Sequence, residues 1–134
     1  AWPGHILGVG TVGGDEQGRA GTPIFCLPGD PVSAQVCFEV YVRPALRHMQ
    51  GWTVLNRPSV EARVDRSWYS PRGRREFVRA RLVGEPRTGY QAKVMGAPAS
   101  LLLSALAESN ALAVVPEDVT NVRVGDILRC MVLD

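Results

Sequence analysis

The sequence predicts a mixed α+β chain in two parts. The first, residues 1–51, is an incomplete α/β unit; the second, residues 52–134, is a small antiparallel β domain, barrel or sandwich, with one short helix. Three observations lead there. A strand–turn–helix signature runs from Ile24 to Met49. The apolar pattern then switches to period two near residue 52. Charge shifts at the same place: three Arg face four acids before it, and twelve Lys or Arg face nine acids after it.

In the first part, Ile6 to Val12 and Thr22 to Leu27 are short β-like runs joined by the Gly-rich stretch Gly13 to Gly21. They read as a hairpin or as two neighbouring strands. Leu27-Pro28-Gly29-Asp30-Pro31-Val32-Ser33-Ala34 follows. Asp30 stands where a helix N-cap is wanted, because its carboxylate can accept the open N–H groups of the first turn. Pro31 takes the first helical position, where its missing N–H costs nothing. Gly29 permits a sharp turn and a close approach. By local chemistry this is a well-made helix start, with or without a ligand; open α/β sheets bind ligands at such turns.

The helix is expected from Pro31 to Met49. Val32, Val36 and Val40 recur every four residues, and Phe38, Val42, Ala45 and Met49 form a second stripe, together a wide apolar face. Pro44 cannot donate to the Val40 carbonyl, so a kink or a junction of two helices is expected near Arg43. Gly51 sits where a C-terminal cap belongs. One apolar helix and two short strands leave a face uncovered, so this part requires further layers from elsewhere.

In the second part, Val60, Ala62 and Val64 alternate with Glu61, Arg63 and Asp65; Glu76, Val78, Ala80 and Leu82 alternate with Arg75, Phe77, Arg79 and Arg81; and Tyr90, Ala92 and Val94 alternate with Gln91 and Lys93. These are half-buried strands. Ser100 to Ala107 is the helical interruption, with Ser100 as its cap and Asn110 as its stop. Ala111 to Val115 and Ile127 to Leu133 return to strand. Arg63, Arg66, Arg72, Arg74, Arg75, Arg79 and Arg81 face only Asp65 and Glu76, which reads as an anion-binding strand or as a solvated outer face.

Several classes are set aside. No apolar run has the roughly 18–20 residues that span a bilayer. The net charge of +2 is too small to indicate nucleic acid. Oligonucleotide binding by a small barrel would need exposed aromatics beside the basic stripe, and Trp68, Tyr69 and Phe77 read instead as core or turn packing. Cys26, Cys37 and Cys130 are widely spaced in apolar runs and read as buried free thiols of a cytoplasmic protein. His5 and His48 lack metal-pair spacing, and no Walker loop, dinucleotide fingerprint or nucleophile elbow occurs. The chain opens on Ala1 rather than Met, as expected of a fragment or a processed chain.

Ile24 to Ala34, followed by Phe38-Glu39-Val40-Tyr41-Val42-Arg43-Pro44-Ala45-Leu46, resembles the end of the third domain of the molybdopterin molybdenumtransferases, the MoeA and gephyrin E-domain family. Pro3-Gly4 with Gly8 and Gly10 resembles the family's Pro-Gly loop. Gly73 to Arg79 resembles its Arg-rich strand, Gly96 to Ser104 its helix, Asn110 to Glu117 the strand after it, and Val124-Gly125-Asp126 its last turn. The resemblance implies that residues 1–51 are the C-terminal part of a molybdopterin-binding-like α/β domain. Residues 52–134 would be the small antiparallel β-barrel of the fourth domain.

It further implies an enzyme that inserts molybdate into adenylylated molybdopterin with Mg²⁺, releasing AMP. The full-length protein would be a homodimer, without nucleic-acid or membrane partners. The pterin loop and the metal-binding acids would lie upstream, so no metal site is expected within this chain, which alone would be inactive; the resemblance leaves the catalytic residues unassigned. Pro28, Gly29, Asp30, Pro31 and Ser33 would line the anion pocket, Arg79 would bind an anion, and Ser100 would donate a hydroxyl. Asp30 stands where the family usually has Asn, and Trp2 and His5 where lysines often flank the loop; His5 is thus the one cationic group there, partly charged near neutral pH. The alternative implied function is a gephyrin-like scaffold that binds peptides.

Overall fold

In a computed structural model of the chain, the described residues are 8–18, 20–27, 29, 31–95 and 108–133, with 31 and 32 described as backbone only. They form two compact units that part between Leu55 and Asn56.

In the first unit, β1 (Gly8–Val12) pairs antiparallel with β2 (Thr22–Cys26), from Gly8 opposite Cys26 to Val12 opposite Thr22. The Gly-rich stretch therefore closes a hairpin. The helical segment consists of α1 (Pro31–Cys37), a π-helical turn over Phe38–Val42, and α2 (Arg43–Met49). Pro44 explains the π turn. The Arg43 N–H reaches back five residues to the Phe38 carbonyl. The ladder is thus widened one residue before a proline that cannot donate, and Pro44 falls in the first turn of α2, where no N–H is required.

An extra residue in a turn also rotates everything after it, by about 100° for a 3.6-residue period. The two apolar stripes consequently do not form one buried face: Val36, Cys37 and Val42 are buried, while Phe38 and Met49 are exposed. Gly51, at φ +87°, ends α2 in a Schellman motif. Its N–H donates to the His48 carbonyl at 3.0 Å, and the Trp52 N–H donates to the Arg47 carbonyl at 3.0 Å. The Arg47 guanidinium lies 4.3 Å from the centre of the Trp52 ring, across the same cap.

The second unit contains β3 (Ser59–Val64), β4 (Trp68–Tyr69), β5 (Glu76–Glu85), β6 (Gly89–Val94), β7 (Ala111–Val115), β8 (Asn121–Val122) and β9 (Ile127–Val132). Five of these close a barrel in the order β3–β6–β5–β7–β9, and β4 pairs with β8 as a separate ribbon. The pairings β5–β6, β5–β7, β7–β9 and β3–β9 are antiparallel, but β3–β6 is parallel. This corrects the expectation of an antiparallel barrel, and the reason is arithmetic. Strand direction cannot alternate all the way round a closed ring with an odd number of strands, so at least one neighbouring pair must run parallel.

The interior follows the period-two pattern. Ala62, Val64, Val78, Ala80, Ala92, Val94, Ala111, Ala113, Val115, Leu128 and Cys130 form one buried cluster. Most are small, as suits the narrow interior of a ring of few strands. Glu76 shares the inward row of Val78 and Ala80 and is itself buried; its Oε1 accepts the Trp68 indole N–H at 2.9 Å. Asn110, expected as a helix stop, acts as a strand extension: its Oδ1 accepts the Leu82 N–H at 2.7 Å and its Nδ2 donates to the Leu82 carbonyl. The predicted helix over Ser100 to Ala107 lies outside the described residues.

The three cysteines are free, but only Cys37 and Cys130 are buried; Cys26 is exposed, contrary to its apolar sequence context. It ends a strand whose alternate residues face outward. Burial pushes the pKa of the Cys130 thiol up to about 11, above that of an exposed thiol. The expected outcome of thiol labelling at pH 8 is one fast-reacting group, Cys26, with Cys130 labelled only on unfolding. The unfolded thiol ionises first, so this group's contribution to stability is complete below about pH 9 and declines as pH rises towards 11. Urea midpoints across that range check the sign.

Candidate functional site: a strand–turn–helix and an Arg-rich strand

The predicted site residues fall on both units. In the first, Gly29 lies in the bend between β2 and α1, Pro31 opens α1 as expected, and Ser33 follows in its first turn, half-buried. No acidic residue occupies the first turn of α1. The hairpin positions the turn, because Cys26 at the end of β2 is held opposite Gly8. Three candidates are thus brought together on one strand–turn–helix, with first-turn N–H groups that suit an oxyanion. Pro28, Asp30 and His5 lie outside the described residues, as does Ser100 of the second unit.

In the second unit Arg79 lies on β5, opposite Leu112 of β7. It points away from the inward row of Val78 and Ala80, yet it is only 3% exposed. Phe77 and Leu112, on the same outer face, are buried as well. The solvated-face reading therefore fails for this arginine. Arg63, Arg66, Arg72, Arg74, Arg75 and Arg81 are exposed and fit it. A guanidinium at that depth is costly unless fixed by polar partners, and a guanidinium so fixed is pre-organised for an oxyanion. The Arg79 carbonyl accepts the Met95 N–H at 2.9 Å, which holds the backbone there.

The aromatic trio separates. Trp68 is half-buried on Glu76, Phe77 is buried, and Tyr69 is 84% exposed, so only Tyr69 departs from the expectation of packing. Two polar groups that order the barrel escaped sequence reasoning. Glu76 carried a readable signal, since a carboxylate stood in the inward register of an alternating strand. Asn110 carried none, because its partner Leu82 is brought to it only by the β5–β7 pairing. Among the described residues, no three His, Cys, Asp or Glu are grouped to hold a metal ion. No described helix is long and apolar enough to cross a membrane.

Comparison with known proteins matches this arrangement to one group. The profile described as MoeA C-terminal region (domain IV) matches residues 61–133. Molybdopterin molybdenumtransferase 2 of Mycobacterium tuberculosis is 45% identical over 127 residues, 95% of this chain and 29% of the relative. Gephyrin of Dictyostelium discoideum is 30% identical over 119 residues, 84% of this chain and 17% of the relative. Among solved structures, a molybdopterin biosynthesis MoeA protein from Pyrococcus horikoshii superposes with a TM-score of 0.67 at 31% identity, over 81% of this chain and 27% of that one. Another molybdopterin biosynthesis MoeA structure from Pyrococcus horikoshii gives 0.77 at 23% identity, over 98% of this chain and 30% of that one, a likeness of fold. The chain thus spans under a third of the length of these relatives.

Proposed function

Because the chain belongs to the MoeA C-terminal (domain IV) family of molybdenum-cofactor biosynthesis, we propose that it serves as the C-terminal part of a molybdopterin molybdenumtransferase. The proposed reaction inserts molybdate into adenylylated molybdopterin and releases AMP. The observation that carries this reading is the collinear 45% identity over 127 residues, which takes in both the strand–turn–helix and the Arg-rich strand.

The substrates are oxyanions, and the chain's own groups suit them. The turn through Gly29 and Pro31 opens α1, whose own first turn contains no acid, with Asp30 immediately before it. Within the second unit Arg79 would hold a phosphate or molybdate oxygen through its forked donors and Ser100 would donate a hydroxyl; within the first, Ser33 would donate one at the turn. Pro28 and Asp30 would complete the turn, and His5 would add positive charge as it protonates. Magnesium, when bound, neutralises phosphate and helps the leaving group depart. Among the described residues no three His, Cys, Asp or Glu are grouped to hold such an ion. By the family resemblance Mg²⁺ would be held by acids upstream, and the chain alone would turn nothing over.

The test is AMP release from adenylylated molybdopterin, with molybdate and Mg²⁺, by the full-length protein and by this chain. Release by the full-length protein and none by the chain is expected. A full-length protein that leaves the adenylylated substrate intact removes the proposal.

A further inference from the structure

The β5–β6 hairpin and β3 enclose a hollow of about 420 Å³ on the outer face of the barrel, beside its parallel seam. A row of register partners crosses that face: Ile127 on β9, Arg63 on β3, Gln91 on β6 and Val83 on β5. Arg63, Gln91 and Val83 line the hollow with Tyr90 and Thr88. Gly84 and Gly89 also line it, and at Gly89 even an added Cβ would meet nothing within 4 Å.

The charge around this hollow is one-sided. Arg63 Nη1 donates to the Gly125 carbonyl at 3.2 Å, which orients the guanidinium and leaves its other donors for a ligand. Two residues along the same face, Arg81 stands directly opposite Lys93. Like charges opposite one another on neighbouring strands are destabilising, and an anion held between the cations of this face would relieve them. The carboxylates at its borders are otherwise placed. Asp65 accepts the Val94 N–H at 2.9 Å and lies 3.8 Å from Arg66. Glu61 is opposite Arg129, and Glu85 is opposite Gly89 at the hairpin end. No carboxylate lines the hollow itself.

We propose that this hollow is a binding site for a small molecule with an apolar or aromatic body and one phosphate or carboxylate group. The oxyanion meets Arg63, with the field of Lys93 and Arg81 behind it. The amide of Gln91 and the hydroxyl of Thr88 supply neutral hydrogen bonds, and the body packs on Val83. The site is built wholly from the barrel and stands independently of the molybdenum-insertion reading.

Amide-resolved NMR titration of the full chain tests it, with phenyl phosphate, benzoate and neutral benzyl alcohol as probes. One or both anions are expected to shift Gly84, Thr88, Gly89 and Gln91 together and saturably, with Kd on the order of 1 mM. Benzyl alcohol is expected to bind at least tenfold more weakly. Tighter phenyl phosphate identifies the phosphate class, and tighter benzoate the carboxylate class. Arg63→Gln, at an exposed position, is expected to weaken binding about tenfold, the loss of a charge-assisted hydrogen bond. Thr88→Trp fills the hollow without touching the charge and is expected to abolish binding. The proposal is overturned if neither anion saturates, if benzyl alcohol binds as well, if shifts spread equally to Arg72, Arg74 and Arg75, or if either variant binds like the parent.

Discussion

Gly84→Ala is expected to be the most damaging single methyl that can be added to the barrel. Gly84 has φ +114°, a backbone conformation that L side chains rarely adopt. A Cβ there would collide with the carbonyl oxygen of Gly89 and lie 3.2 Å from Tyr90 Cα. Both obstacles are backbone, so no rotamer change relieves them. The hairpin would have to shift, and β6 is the strand through which β5 reaches β3. The expected cost is about 3 kcal/mol, combining left-handed strain with a backbone clash. For a unit of this size that lowers Tm by roughly 10–20 °C. Gly10→Ala is the control: its added Cβ meets nothing within 4 Å, and a change under about 0.5 kcal/mol is expected. Equal melting curves for the two variants would show that the hairpin is not closed as described.

Arg79→Ala is expected to act on both stability and function. At 3% exposure Arg79 is part of the packed outer face of β5 as well as a candidate anion binder. Truncation removes a buried guanidinium from the face it shares with Phe77 and Leu112, at an expected cost of about 3 kcal/mol. Urea unfolding measures that part. The proposed anion role adds a separate signature. In the full-length protein, assayed well below the variant's melting temperature, KM for molybdate should rise by tenfold or more. Arg79→Lys, which keeps the charge and loses the fork, should recover part of the stability but little of the molybdate affinity. A variant that melts early yet keeps the parent's KM would leave Arg79 a structural residue only.

The two variants mark where sequence reasoning reached and where it stopped. The strand-by-strand alternation named the inward residues correctly, from Ala62 and Val64 through Val78, Ala80, Ala92 and Val94, because a period of two is a local property of the backbone. Pro44 announced a break in the helix by its missing N–H, although not that a π turn would absorb it. Gly51 announced the cap. The ribbon of β4 and β8 could not be foreseen, since two residues per strand are too few to show a period. The burial of Arg79 was equally hidden. Glu76 to Ala80 are buried without a break although their pattern along the chain alternates, and only pairing to β7 sets Arg79 beside Leu112. The hollow beside Arg63 depends on register in the same way, as Gln91 and Val83 are far from Arg63 along the chain.

The sequence by itself determined the local chemistry and the family: a strand–turn–helix with Pro31 at its start, Arg-rich alternating strands with small inward residues, and a collinear likeness to the MoeA C-terminal region. Local sterics and hydrogen bonding within a few residues are sufficient for each of these. Only the tertiary structure decided which strands are neighbours, that five strands close with one parallel seam, that Gly84 meets the Gly89 carbonyl, and that one arginine of seven is buried. These are contacts between distant segments, set by ring closure and register, and no pattern along the chain encodes them residue by residue.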